Sequence, residues 1–303
     1  MNEKTGCWAA RRANGRFGIV GGGVLLGLIP LLSVAGAGPQ DVDKSRYNLF
    51  RPTPADQMRE MNTDRPDQTE SPYTVDAGHV QLEMDFANGT LDRDRSNGSD
   101  ARSQVWSYAP INLKIGLLNN VDIQFVLDSY VRSRVEDQAA GTVQKASGLG
   151  DFTTRLKINF WGNDGGATAF GLLPFVKWPL PATSLRNGKT EGGIIVPLAV
   201  GLPGGWDMGA MTEFDFVSDG AGGYDTEYLN SVTFSHDIVG NLGGYLEFAA
   251  LVTPESAGKW QGQVDVGFTY GLNKNTQFDF GCNFGVTESA PDYNPFIGLS
   301  LRF

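Results

Sequence analysis

From His79 to Phe303 the chain alternates apolar and polar residues with a period of two, the spacing that sends successive side chains to opposite faces of a β-strand. Val80, Leu82, Met84 and Phe86 interleave with Gln81, Glu83 and Asp85. Much later, Phe278, Phe280, Cys282 and Phe284 interleave with Gln277, Asp279 and Asn283. The pattern predicts twelve strands: His79–Ala87, Gln104–Ile115, Val121–Val131, Asp151–Trp161, Ala167–Trp178, Ile194–Leu202, Trp206–Phe216, Tyr224–His236, Leu242–Val252, Trp260–Tyr270, Thr276–Val286 and Tyr293–Phe303. The phase is ambiguous over 167–178, where Leu172, Leu173 and Pro174 blur it, and weak over 224–236.

The connections order these strands. Five short turns (116–120, 162–166, 203–205, 237–241 and 271–275) alternate with six longer polar stretches (88–103, 133–149, 180–193, 217–223, 253–259 and 287–292). Short turns on one rim and long loops on the other suit an all-β, transmembrane, antiparallel up-and-down β-barrel with both ends on the short-turn, periplasmic side. A secreted β-sandwich also alternates, but its strands average about 5–6 residues and its outer face is polar. Here most segments reach the roughly 9–11 residues of a membrane-crossing strand, with one oily and one charged face.

The pattern changes before His79. Lys4, Arg11, Arg12 and Arg16, then the apolar stretch Phe17 to Val34 and the small residues Ala35, Gly36 and Ala37, read as a signal peptide over 1–37. Residues 38–77 read as a periplasmic segment or plug ahead of a barrel over 78–303, with one short helix over Ala55–Met61 and an extended stretch over Thr63–Val75. Asp64, Arg65, Asp67 and Glu70 make that stretch polar enough for a wet lumen or its mouth.

Without the leader about 266 residues remain, with 20 Lys+Arg against 33 Asp+Glu, which disfavours a nucleic-acid partner. Cys282 is then the one cysteine, so no internal disulfide forms; among outward phenylalanines it reads as apolar filler. Two histidines, His79 and His236, rule out a His-rich metal site. Ser235 and His236 are neighbours on a strand and point to opposite faces, so they make no nucleophile–base pair. The expectation is no catalytic residue, no metal, no cofactor and no enzyme activity.

The chemistry is concentrated on the inward face. By phase the lumen is lined by Glu83, Asp85, Lys114, Asp122, Arg155, Lys157, Asp207, Glu213, Asp215, Glu247, Asp265, Asp279 and Arg302. From residue 192 to 301 thirteen acids face only Lys259 and Lys274, so the later wall should attract cations and repel anions. Arg302 should face Glu83 and Asp85 across the barrel seam and pair with them. Trp106 and Tyr108 share a phase with Lys114, which makes them the candidate ligand aromatics. The other strand-end aromatics suit the girdles at the membrane–water interfaces.

The terminal stretch Tyr293–Phe303 resembles the C-terminal signal of bacterial outer-membrane proteins. That resemblance implies the barrel-assembly machinery and outer-membrane lipid as partners. Thr63–Val75 with Asp76–Glu83, then Gly148-Leu-Gly-Asp151 and Pro174–Pro179, resemble a Gram-negative family of outer-membrane transporters of the phenol-degradation meta-pathway type. The resemblance covers roughly residues 49–303. It implies a porin-like outer-membrane barrel for passive uptake of small molecules, aromatic compounds included. The competing reading is a structural or adhesive barrel that transports nothing.

Overall fold

The computed structural model describes residues 43–94, 100–180, 185, 188–254 and 260–303. The expected signal peptide over 1–37, the middle of the 92–100 charged run and Lys259 lie outside the described residues. Fifteen strands are described: β1 (Val80–Asp94), β2 (Ala101–Tyr108), β3 (Ile111–Leu118), β4 (Val121–Leu127), β5 (Tyr130–Asp137), β6 (Thr142–Gly148), β7 (Phe152–Trp161), β8 (Thr168–Lys177), β9 (Glu191–Leu202), β10 (Trp206–Ser218), β11 (Tyr224–Val239), β12 (Leu242–Val252), β13 (Gln261–Asn273), β14 (Thr276–Gly285) and β15 (Tyr293–Arg302). They form one antiparallel sheet that closes through β15 and β1.

The fifteen strands make twelve staves. β1 pairs with β3 along its first part and with β2 along its second, so β2 and β3 form one interrupted stave. The same holds for β4 with β5 and for β6 with β7. The first break falls at Ala109, whose φ of 50° is a strained conformation for a residue with a Cβ, followed by Pro110, which has no N–H to give a ladder. The stretches 88–103 and 133–149, expected as loops, are therefore largely strand; 133–149 contains the β5–β6 hairpin.

Burial runs inside out. Phe86, Phe160, Phe216, Phe280 and Ile297 are exposed on the outer surface, whereas Glu83, Lys114, Asp122, Lys157 and Asp279 are buried inside. Lipid rewards the apolar outer face, and the closed ladder satisfies the backbone polar groups that lipid cannot. Cross-strand aromatic pairs reinforce that face, with Phe268–Phe280 centroids 5.4 Å apart and Phe214–Tyr228 5.3 Å apart. The two uncertain phases are resolved: Leu173 of β8 and Leu229 and Ser231 of β11 point inward.

No helix occurs among the described residues, and Ala55–Gln57 is a turn closed by Gln57 N–H donating to Pro54 O at 2.9 Å. The expected helix fails because the next residues are committed elsewhere. Arg59 N–H donates to Asp76 Oδ2 at 3.1 Å, which draws the chain straight toward the lumen.

Candidate functional site: a segment across the lumen

Residues 62–76 pass through the barrel interior and touch the wall on most sides. Asp64 enters first. Its carboxylate accepts from Lys157 Nζ at 2.5 Å and from Lys114, and Lys114 also pairs with Glu83 at 2.5 Å. The Asp64 backbone N–H donates to both Glu83 carboxylate oxygens at 3.2 Å. Burial acts to raise the Asp64 carboxyl, but Lys114 and Lys157 outweigh it and hold the group far below the usual carboxylate range.

Arg65 is seated by register. Asp279 of β14, Gly298 of β15 and Asp85 of β1 form one cross-strand row. The guanidinium lies over the glycine, with Nη2 2.6 Å from Asp279 and 2.5 Å from Asp85, and Nε donates to Asp279 at 3.2 Å. A Cβ at Gly298 would sit 2.3 Å from Nη2, so the absent side chain is what admits the arginine. Gly116 plays the same part lower down, where a Cβ would meet the Asp76 carbonyl at 2.1 Å.

Gln68 and Thr69 dock on the opposite wall. Both backbone N–H groups donate to Glu247 at 2.8 Å, Gln68 Nε2 donates to Asp265 at 2.7 Å, and Thr69 Oγ1 lies 2.7 Å from Ser231 Oγ. Glu70 pairs with Arg155, Asn159 Nδ2 donates to Pro72 O at 2.9 Å, and Val75 N–H donates to Asp122 at 3.0 Å. The segment is thus anchored mainly by charged or charge-assisted contacts, which are stronger than neutral ones.

One contact opposes docking. Burial and the nearby Glu247 carboxylate raise Asp67 well above its ordinary range. The docked state therefore holds the Asp67 proton more tightly than a solvated segment does. That contribution is complete below the ordinary carboxylate range and is lost as pH rises through the raised value. Asp67→Asn should keep the segment docked more firmly at pH 8, with the gain shrinking toward pH 4. Limited proteolysis of the segment at the two pH values measures this.

Two chambers lie on either side of the segment. One, about 610 Å³, faces the long-loop rim and includes Asp128, Asp151, Glu191 and Glu227 in its wall; the other, about 720 Å³, faces the short-turn rim near Asn163, Asp207 and Asp237.

All thirteen residues read as inward-facing point inward, with Asp207 in the short-turn chamber. Two expectations are corrected. Arg302 does not pair with Glu83 and Asp85, which are taken by Lys114 and Arg65. Its Nη1 donates to Arg59 O at 2.8 Å and lies 3.7 Å from Asp76, and its Nη2 donates to Asn275 Oδ1 at 2.9 Å. Trp106 and Tyr108 point outward, because Val105 is buried inside beside Val131 and Ser107 lines the long-loop chamber. The break at Ala109 shifts the phase of this stave, and the bulge after Asp85 shifts that of its neighbour β1. Trp106 and Tyr108 stack at 6.5 Å on the outer face, with the Trp106 ring over Gly89.

Two acids of the site went unassigned in the pattern: Glu191 fell in an expected loop and Glu227 in a weak strand. His79, read as an interfacial or docking residue, bridges Thr53 O at 2.7 Å and Phe303 O at 3.0 Å, tying the incoming segment to the barrel seam.

Among curated proteins none matches the chain. Solved barrels resemble it. An outer membrane channel from Pseudomonas putida F1 is 13% identical with a TM-score of 0.58, covering 80% of this chain and 100% of that one. The NanC porin is 10% identical at 0.48, covering 73% and 98%, and the CymD monoaromatic hydrocarbon channel is 10% identical at 0.43, covering 74% and 87%. The first of these bears out the fold, a twelve-stave outer-membrane barrel. The family model described as "Putative MetA-pathway of phenol degradation" matches residues 63–303, beginning at the lumen-crossing segment and ending with the seam strand, and the chain belongs to that family of outer-membrane β-barrels.

Proposed function

We propose that the barrel passes small solutes passively across the outer membrane and that residues 63–75 gate it. The observation that carries this reading is the segment itself. It is held across the lumen by ion pairs rather than by an apolar core, with a solvent-sized chamber on each side. Charged contacts inside a wet lumen can be exchanged for water far more readily than packed hydrophobic ones. The family description supports aromatic compounds as the solutes. Eleven carboxylates against Arg65, Arg155 and Lys177 around the long-loop chamber support a preference for cations and neutral molecules over anions.

Deleting residues 38–75 while keeping the leader tests the gate. In planar bilayers the shortened protein should conduct several-fold more than the full chain, with a reversal potential showing cation preference. Equal conductance of the two forms removes the gate. Absence of conductance and of liposome swelling in both leaves the structural or adhesive reading, and anion preference refutes the acidic lumen.

A further inference from the structure

The outer face of the wall changes character toward the long-loop rim, on the four neighbouring strands β1, β2, β5 and β6. Tyr108 of β2 stands opposite Tyr130 of β5. The next row up holds Trp106 and Arg132, the one above it Arg134 and Lys145, and the last Arg93, Arg102 and Glu136. Val105 and Val131 are buried on the inner side of the same strands, so these rows face outward. The lower aromatics continue the lipid-facing wall, with the Tyr108 and Tyr130 rings 6.3 Å apart. Above them come five bases. With strands about 4.8 Å apart and rows about 6.7 Å apart, the bases cover a patch about 14 Å wide and about 13 Å high.

Two of the five bases are matched. Arg93 meets Asp100 at 2.7 Å, and Glu136, which stands opposite Arg102 in register, gives its carboxylate to Arg134. Arg102, Arg132 and Lys145 are exposed and make no ion pair among the described residues. The cations also oppose one another, Arg93 directly across from Arg102 and Arg134 directly across from Lys145. Like charges in such positions destabilise a bare sheet. Nothing similar occurs elsewhere on the outer face. The other bases carried by strands are Lys114, Arg155, Lys157, Lys177 and Arg302, and all five point into the barrel. Every outward base of the strands is therefore gathered in one sector, although acids outnumber bases 34 to 24 in the whole chain.

We propose that this patch binds the phosphorylated glycolipid of the outer leaflet, the lipid A part of lipopolysaccharide. The long loops of outer-membrane barrels face the outside of the cell, so the patch stands where the headgroups of that leaflet begin. A phosphate supplies the charge that Arg102, Arg132 and Lys145 lack, and a guanidinium fork meets its oxygens at two points. The acyl chains run down the wall past Trp106, Tyr108 and Tyr130, whose rings belong at the boundary between chain and headgroup. The breadth of the patch suits a disaccharide with a phosphate at each end. A glycerophospholipid brings one phosphate and leaves part of the patch unmatched. The inference is independent of what the lumen passes.

Three lipids test it: bisphosphoryl lipid A, monophosphoryl lipid A and phosphatidylglycerol. Titrated into the full-length protein in a neutral detergent, with bound lipid counted by native mass spectrometry, they should rank in that order. The bisphosphoryl form should bind about tenfold more tightly than phosphatidylglycerol at low salt, and the difference should shrink as salt screens these exposed charges. The triple variant Arg102→Gln, Arg132→Gln, Lys145→Gln should bind bisphosphoryl lipid A about tenfold more weakly and phosphatidylglycerol nearly as before. Arg102→Lys with Arg132→Lys keeps the charge and should retain most of the affinity. Heat-modifiable mobility in gels checks that each variant is a folded barrel. Equal affinity of the parent and the triple variant for bisphosphoryl lipid A overturns the proposal. An equal loss for phosphatidylglycerol overturns the glycolipid assignment, because the patch then answers to any anionic lipid.

Discussion

Asp64→Asn is expected to undock the lumen-crossing segment and raise open-channel conductance more than any other single substitution. Asp64 is the shared counter-ion of Lys114 and Lys157, with all three side chains no more than 4% exposed. Asparagine keeps the shape but leaves Lys157 without the carboxylate 2.5 Å from its ammonium. Breaking a buried ion pair from one side costs about 3–5 kcal/mol, because the remaining charge stays desolvated. Here the lysines escape that cost if the segment leaves and water enters. The docked-to-undocked ratio should therefore fall by about two to four powers of ten. Single-channel recording reads the change as longer and larger openings, and proteolysis of residues 62–76 as faster cleavage. The double change Asp64→Asn with Lys157→Met should restore part of the docking, since it removes the stranded charge. A conductance identical to the parent protein would show that Asp64 does not hold the gate.

Arg65→Gln is the second large effect, on the opposite side of the segment. Its guanidinium separates Asp85 and Asp279, which flank Gly298 in a single row. Glutamine cannot neutralise either carboxylate, so two buried acids face each other across a glycine gap. Docking should weaken by about 3 kcal/mol, and the loss should diminish at acid pH as the stranded carboxylates take up protons. Lysine at this position should rescue only part of it, because an ammonium lacks the planar fork that meets Asp279 at two points. Conductance measured at pH 8 and pH 5 for the glutamine and lysine variants checks both statements. A glutamine variant that gates like the parent at pH 8 refutes the anchor.

Much of the barrel was legible because a strand offers a side chain only two directions. Once Phe278, Phe280 and Phe284 are assigned to lipid, Asp279 must face the lumen, and the same step places Glu83, Lys157 and Glu247. Turn length carried the staves into an up-and-down order, since hairpin neighbours pair locally. The steps that failed share one cause. At Ala109 and Pro110, and at the bulge after Asp85, a local backbone irregularity resets the phase, and Trp106 and Tyr108 move from the expected inner face to the outer one. Alternation cannot report such a reset, because the pattern on each side of it remains periodic.

Partnership among the lumen charges was not legible. Arg302 was expected to meet Glu83 and Asp85 because register brings their strands together. In the folded protein Lys114 and Arg65 reach those acids, and Arg302 turns to Arg59, Asn275 and Asp76. Asp279 meets a residue 214 positions away, through a segment whose path depends on glycines at 116 and 298. The apolar band that Leu173, Ile195, Met211, Leu229, Ala249 and Leu251 form on the inner wall was hidden for a related reason. Leu229 and Leu251 share their face with acids such as Glu227 and Glu247, so each strand alone reads as a polar inner face with an apolar exception.

The amino-acid sequence by itself determined the barrel, the side of the wall on which most charges stand and the acidic balance of its later half, because these follow from period two, turn length and composition. Only the tertiary structure decided which charges neutralise one another, that residues 62–76 run through the lumen, and that an apolar band forms part of the inner wall. Those features arise where strands distant in the chain are brought within a few ångströms, and the energy of a charge depends on the neighbour it finds there.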